Sequence, residues 1–181
     1  MRLEAIEKPG GLLLKIAYWL CRRRLGKVIT PLKVIYARKP NLLFVSNSLQ
    51  KASAKLTLDK SVQILVKTYT SMKNGCGFCN DLALSEAVKE RLGAEKFFAL
   101  GRDEAEKAAA LSEKERAVVA FLNEYAEDKK VSDRVFAELR RFFSEEELIE
   151  IVFLNAVECY YNAMNLPFGI ESDNLAELAG E

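Results

Sequence analysis

Two cysteines three residues apart, Cys76 and Cys79, are the residues of this 181-residue chain whose type and spacing point most directly to chemistry. They stand in the run Asn74-Gly75-Cys76-Gly77-Phe78-Cys79. A CxxC pair inside an intracellular chain has three explanations: half of a zinc site, two small apolar side chains one helical turn apart, or a redox dithiol. Zinc takes four ligands. The chain has no histidine to supply one, and its other two cysteines, Cys21 and Cys159, sit singly within apolar helical patterns. A four-cysteine site would need both to converge on the pair. Free cysteine also packs as a small hydrophobe, a reading that suits Cys21 and Cys159 better than the pair. The redox reading has a specific physical basis. Asn74-Gly75 breaks the chain, so Cys76 falls near the start of a helix, where unpaired amides and the positive end of the dipole favour a thiolate. Cys79 follows on the same face, close enough to form or resolve a disulfide. Gly77 lets a partner's backbone approach, and Phe78 offers an apolar contact.

The absence of histidine reaches further. It removes the commonest general base and every Ser-His or Cys-His nucleophile pair. Half of the residues are hydrophobic and 29% are charged, with a formal net charge of +1. That composition supplies a core and a solvated surface, and it argues against a dedicated nucleic-acid binder. The one dense basic run, Arg22-Arg23-Arg24, reads as a solvated helix end beside the negative pole of the dipole. The apolar stretch Leu12 to Cys21 is broken by Lys15 and is far shorter than the roughly 20 residues a spanning helix needs. It is followed by arginines, not by a small-residue cleavage site, so it reads as a helix burying Leu13, Ile16, Ala17 and Leu20. No membrane association and no nucleic acid are expected, and the cytoplasm is the expected location. There the four cysteines are not a secreted disulfide framework.

The elements that must position the pair are helices. Pro9, Pro31, Pro40 and Pro167 stand at helix boundaries. PLKVIYARKP predicts a short helix, and Asn41 is placed to cap the next, through about Ala54. Thr57 or Asp59 opens a helix through Val62, Leu65, Val66 and Tyr69 that ends near Asn74-Gly75. The dithiol helix continues through Leu82, Ala83, Ala87 and Leu92, with Gly93 expected to close it in the left-handed conformation. The polar, alanine-rich segment Gly101 to Ala110 reads as a surface connection. Ser112-x-x-Glu115 and Ser144-x-x-Glu147 have the form of capping boxes. The first opens a helix burying Val118, Val119, Leu122 and Tyr125, and the second a long helix through Leu148, Ile151, Val152, Asn155 and Cys159. Ser132 or Asp133 starts another, carrying Val135, Phe136, Leu139 and Phe142. Sustained alternation is scarce, so the fold class is all-α. Residues 1–25 read as a helical arm and 26–181 as the main helical domain.

This order of features resembles the carboxymuconolactone decarboxylase superfamily, and within it the alkyl hydroperoxidase D-like branch. The resemblance is carried by the apolar helix leading into NGCGFC, by GKVITPLKVIYARKPNLL before it, and by the stretch from LSEKERAVVAFLNEYAEDKK to FSEEELIEIVFLNAVECYYNAMN after it. It spans roughly Gly26 to Asn165. It implies a helical bundle of the alkyl hydroperoxidase D-like type, assembled as a homo-oligomer (a dimer, trimer or hexamer). The implied activity is a CxxC dithiol/disulfide cycle that reduces hydroperoxides and draws on a thiol reductant, with no cofactor and no metal. The implied catalytic residues are Cys76 and Cys79. The resemblance makes Cys79 the attacking thiol and Cys76 the resolving one, whereas the helix terminus by itself favours Cys76.

The sequence departs from that pattern at the proton-handling positions. The branch's histidine falls at Ala83, and its glutamate at about Gln63 or Ile64. General acid–base help, worth roughly 10²–10⁴-fold, would have to come from elsewhere, with Asp81, Glu86, Lys67 and Glu158 as candidates. A surface charge or a structural ion pair is the competing reading of each. Two functions therefore stand against each other. One is a thiol–disulfide oxidoreductase acting on a hydroperoxide or disulfide substrate; the other is a non-catalytic helical oligomer that kept the fold and lost the relay. Lactone decarboxylation ranks last.

Overall fold

Four helix starts in this protein are set by an N-cap side-chain oxygen that meets the otherwise unpaired first amides. In the computed structural model, which describes residues 1–180 apart from 102–105 and 107–108, the chain runs in the following order. It forms α1 (Leu12–Leu25), a π-helical turn (Leu32–Tyr36), α2 (Leu42–Ser53), α3 (Lys60–Lys73), α4 (Gly77–Lys89), α5 (Ala94–Phe98), α6 (Glu113–Asp128), α7 (Asp133–Arg140), α8 (Glu145–Asn165) and α9 (Leu175–Gly180). Among the described residues there is no strand. Both expected capping boxes form. Ser112 Oγ accepts from the Glu115 amide at 3.3 Å while Glu115 Oε2 accepts from the Ser112 amide at 3.0 Å. Ser144 and Glu147 repeat the exchange at 3.2 and 2.8 Å. Asp59 opens α3 by accepting from the amides of Ser61 and Val62, and Ser132 opens α7.

Helix α3 is the central element. Ile64, Leu65 and Val66 are fully buried because α4, α6 and α8 pack around it. The larger core joins these residues to Phe97, Val118, Leu122, Leu139, Ile151 and Leu154. Each such side chain contributes on the order of 1.5–3 kcal/mol by leaving water. A second core surrounds the cysteines, with Tyr18, Leu32, Val34, Tyr36, Phe78, Ile170 and Leu175. The N-terminal segment is tied to it by Arg2 N–H on the Phe168 carbonyl (2.7 Å) and Ile6 N–H on the Lys33 carbonyl (3.2 Å).

Several expectations change. The stripe Leu13, Ile16 and Leu20 faces outward, 45–52% exposed, and Trp19 is 57% exposed. Helix α1 instead buries Leu14 and Tyr18, and the Tyr18 hydroxyl donates to the Ile6 carbonyl at 2.7 Å. Both stripes are apolar; the buried one packs Tyr18 into the second core while that bond keeps its hydroxyl satisfied. The predicted helix at PLKVIYARKP is a five-residue π-helical turn. Asn41 precedes α2 but makes no side-chain cap. Helix α4 ends at Lys89, with Arg91 taking a left-handed conformation; Gly93, also left-handed, leads into α5 and does not close α4. Tyr125, Phe136 and Val152 are exposed, at 38, 42 and 51%, because α6, α7 and α8 each bury a narrower face than their apolar content suggests. Much of the Gly101–Ala110 connection lies outside the described residues. No helix among the described residues is long and apolar enough to cross a membrane.

Candidate functional site

The site begins at the tight reversal between α3 and α4. Gly75 has φ +71°, a conformation that glycine adopts without strain. The Cys76 amide then turns back onto the Ser71 carbonyl at 2.9 Å. Cys76 precedes the first residue of α4 in an extended conformation, and Cys79 follows one turn on. Their sulfurs are joined in a disulfide, with Cα atoms 5.4 Å apart. Both residues are buried, 1% and 4% exposed. Each sulfur has one stabilising feature for a thiolate. Cys76 stands at the helix terminus, and Cys79 Sγ accepts from Asn165 Nδ2 of α8 at 3.3 Å, a bond that favours the charged form.

The relay positions of the resemblance are apolar or occupied elsewhere. Ala83 is 3% exposed and Ile64 fully buried, and Gln63 Nε2 donates to the Leu58 carbonyl at 2.7 Å. The four candidate replacements separate clearly. Asp81 is buried, and its carboxylate accepts from the backbone amides of Asp173 (3.1 Å), Leu175 (2.9 Å) and Ala176 (2.9 Å), so it pins to α4 the C-terminal strap, residues 169–180 including α9. Glu86 and Lys67 form an ion pair at 2.7 Å between α4 and α3. Glu158 is 7% exposed on α8. Its Oε1 accepts from the Ser71 hydroxyl at 2.7 Å and from Asn162 Nδ2 at 2.8 Å. Burial pushes its carboxyl up to about 7, against the opposing pull of those two bonds and of Lys67, with Glu86 reinforcing the rise.

Glu158 belongs to a polar row on one face of α8. Asn155 Oδ1 accepts from the Thr70 hydroxyl at 2.9 Å, Asn162 Oδ1 accepts from Asn74 Nδ2 at 2.8 Å, and Asn165 meets Cys79. Thr70, Ser71, Asn155, Asn162 and Asn165 are all buried. The sequence reading did not assign Ser71 or Asn165 to the site. The available signal was polar residues 155, 158, 162 and 165 recurring at helical spacing in an otherwise apolar helix.

The remaining cysteines are engaged away from the pair. Cys21 Sγ donates to the Lys27 carbonyl and accepts from the Ile29 amide, at 3.4 and 3.5 Å, and burial pushes its thiol up. Cys159 Sγ accepts from Asn74 Nδ2 at 3.6 Å. Arg22, Arg23 and Arg24 lie exposed in the last turn of α1.

An open groove of about 490 Å³ runs beside the dithiol helix, lined by Gly77, Asn80 and Leu84 of α4 and by Ser172, Ala176 and Glu177 of the strap. The strap is fastened at further points, one of them Lys27 Nζ donating to the Asp173 carbonyl at 2.7 Å. Besides the Asp81 contacts, Asp173 accepts from the Thr30 amide and hydroxyl, both at 2.7 Å. Leu175 and Ile170 of this segment pack in the same cluster as the two cysteines.

A helical bundle with a CxxC pair at the junction of two packed helices has the fold of the AhpD-like, peroxidase-related proteins. No family model matches the chain, and no curated protein matches it in sequence. Among solved structures, it is similar to an uncharacterized peroxidase-related protein from Silicibacter sp. TM1040. That match has 16% identity and a TM-score of 0.82, covering 100% of this chain and 94% of the other. It is also similar to an alkylhydroperoxidase AhpD core, an uncharacterized peroxidase-related protein from Ralstonia eutropha JMP134, at 17% identity and TM-score 0.75, covering 98% of each chain. A third is a cysteine-to-alanine variant of the debrominase Bmp8 in complex with 2,3,4-tribromopyrrole, at 18% identity and TM-score 0.75, covering 97% of each chain. At these identities the likeness establishes the fold, and the all-helical AhpD-like bundle expected from the sequence is the one observed.

Proposed function

We propose that this protein is a thiol–disulfide oxidoreductase in which Cys76 and Cys79 alternate between dithiol and disulfide, reducing a hydroperoxide. The observation that carries the reading is the bonded pair at the start of α4, with the Asn165 amide on Cys79 Sγ. In the forward half-cycle the Cys79 thiolate attacks the distal peroxide oxygen. The O–O bond breaks, the alkoxide takes a proton, and Cys79 becomes a sulfenic acid. Cys76 then attacks that sulfur, its thiol proton passing to the departing hydroxide, so that the disulfide forms and water is released. A small dithiol or a thiol protein returns the pair to the reduced form by exchange through a mixed disulfide. No step needs a cofactor or a metal. The protein acts in the cytoplasm as a homo-oligomer and engages neither nucleic acid nor membrane. The exposed apolar face of α1, with Trp19 and Leu20, is the surface it offers to another copy.

The competing reading, a helical oligomer without catalysis, is favoured by the buried Ala83 at the relay position. A structural neighbour named a debrominase also means that the fold alone does not choose the oxidant. The deciding experiment follows peroxide consumption with dithiothreitol as reductant, alongside thiol titration before and after oxidation. Wild type should consume peroxide and lose two titratable thiols, while Cys79→Ser and Cys76→Ser should fall to the background rate. Equal consumption by wild type and Cys79→Ser would overturn the proposal.

A further inference from the structure

The least expected group near the dithiol is a carboxyl in the protein interior. Glu158 bridges Ser71 and Asn162 through one oxygen. Those two residues hold the reversal that carries Cys76 from both ends. The Ser71 carbonyl accepts the Cys76 amide, and Asn162 Oδ1 accepts the Asn74 side chain. Seven residues beyond Glu158 on the same face of α8, Asn165 touches Cys79 Sγ. The pairings Thr70–Asn155, Ser71–Glu158 and Asn74–Asn162 show that α3 and α8 run side by side in the same direction, converging on the dithiol. Helix α4 returns antiparallel, so Ala83 and Glu86 lie progressively further along it from the dithiol, towards the level of Glu158.

As a bridge between a hydroxyl and an amide, an acceptor oxygen alone would serve, and glutamine supplies one without burying an ionisable group. What a carboxyl adds is the capacity to take and release a proton. The charged and titratable groups facing it are Lys67 of α3, Glu86 of α4 and Tyr161 of its own helix. Lys67 and Glu86 are committed to each other at 2.7 Å, so their charges largely offset. No ionisable side chain stands at the buried Ala83 or Ile64 positions.

We propose that Glu158 is the proton-linked positioning residue of the dithiol, acting through Ser71 and Asn162 on the Asn74–Cys76 turn and not on sulfur itself. This rests on the dithiol reading above. When the dithiol is oxidised by a hydroperoxide, two thiol protons leave. One ends on the alcohol formed from the alkyl-bearing peroxide oxygen and the other on the water formed from the attacked one, so the overall reaction balances. Both protons pass by way of solvent, and Glu158 changes its own protonation in step with the dithiol through the Ser71 and Asn162 bonds. A proton held there also removes a negative charge that would oppose the thiolate. A carboxyl pushed up to about 7 can be either protonated or ionised near neutral pH, so its state can follow that of the dithiol.

The test measures alkylation of the reduced protein by iodoacetamide across pH 5 to 9, with redox-difference infrared spectroscopy of the carboxyl region. Wild type should show two inflections in the alkylation profile, and a protonated-carboxyl band that differs between dithiol and disulfide states. Glu158→Gln should lose the lower inflection and the band, and Glu158→Asp should restore both in shifted form. Ser71→Ala, which keeps the carboxyl and cuts the more direct of its two links to the turn, should retain the band but flatten the lower inflection at least threefold. This variant is also the deciding one if Glu158→Gln does not fold. A wild-type profile and band in Glu158→Gln, or in its absence an unflattened inflection in Ser71→Ala, would overturn the inference while leaving the dithiol cycle intact. Failure of the wild-type pair to cycle at all would be visible in the thiol titration and would remove the function reading itself.

Discussion

The disulfide is buried beneath a strap that Asp81 holds at the start of α9, while Asp173 holds it separately through Thr30 and Lys27. The Asp81 carboxylate accepts three backbone amides from Asp173, Leu175 and Ala176 at 2.9–3.1 Å. Hydrogen bonds to a charged acceptor contribute roughly 1.5–3 kcal/mol each, but the freed amides regain water once the strap lifts. A net loss of about 2 kcal/mol, the upper end of the range for removing a helix cap, is therefore the appropriate figure for Asp81→Ala. Leu175 and Ile170 keep their apolar contacts with the cysteine cluster, so the closed state remains the populated one. At 1.36 kcal/mol per tenfold, the open fraction rises about 30-fold. If a phosphine reductant reaches the Cys76–Cys79 bond only through the open state, the observed reduction rate rises by the same factor. The assay quenches with an alkylating reagent and counts modified cysteines by mass at successive times. Asp81→Asn, which keeps one acceptor oxygen, should fall between the two. A rate within twofold of wild type in Asp81→Ala, with an unchanged circular dichroism spectrum, would refute the reasoning that the strap limits access.

Glu158 carries a pH signature in stability as well. Its folded-state carboxyl lies at about 7 against an ordinary 4.5, so folding favours the protonated form. The penalty is absent below about 4.5, grows as pH rises towards 7 and is complete above it, reaching on the order of 3 kcal/mol. Glu158→Gln should therefore match wild type at pH 4.5 in urea melts and exceed it at pH 8; a constant difference at both would contradict this. Ser144→Ala removes one half of the α8 capping box and should destabilise by about 1 kcal/mol, lowering Tm by roughly 2–4 °C in calorimetry. Leu154→Ala, at a 1% exposed position in the main core, should destabilise by about 2–5 kcal/mol, measured by the shift in urea midpoint.

Much of the helical layout was readable because its causes are local. A serine three residues ahead of a glutamate closes a capping box whatever surrounds it, and Ser112 and Ser144 do so. Asn74-Gly75 ends α3 because Gly75 accepts the left-handed conformation that the reversal needs. Where two apolar faces competed, local pattern could not choose. Helix α1 offered both the Leu13–Ile16–Leu20 stripe and the Leu14–Tyr18 stripe, and the buried one is the face that meets the second core and the N-terminal segment. Gly93 was likewise legible as a left-handed residue but not as the residue preceding α5, because the end of α4 depends on Arg91 adopting that conformation first.

The dithiol itself was visible from spacing alone, since two thiols one turn apart at a helix start need no distant partner to be recognised. Its surroundings were not. That Asp81 is a clasp, that Glu86 is spent on Lys67, and that Glu158 lies buried against Ser71 follow from the packing of α3, α4, α8 and the C-terminal strap. These contacts join residues roughly 20 to 95 positions apart in sequence, and burial, which raises the Glu158 carboxyl, exists only once those helices have met. The sequence by itself determined that two thiols lie one turn apart at a helix start; the tertiary structure decided which acid is buried against the turn that carries them.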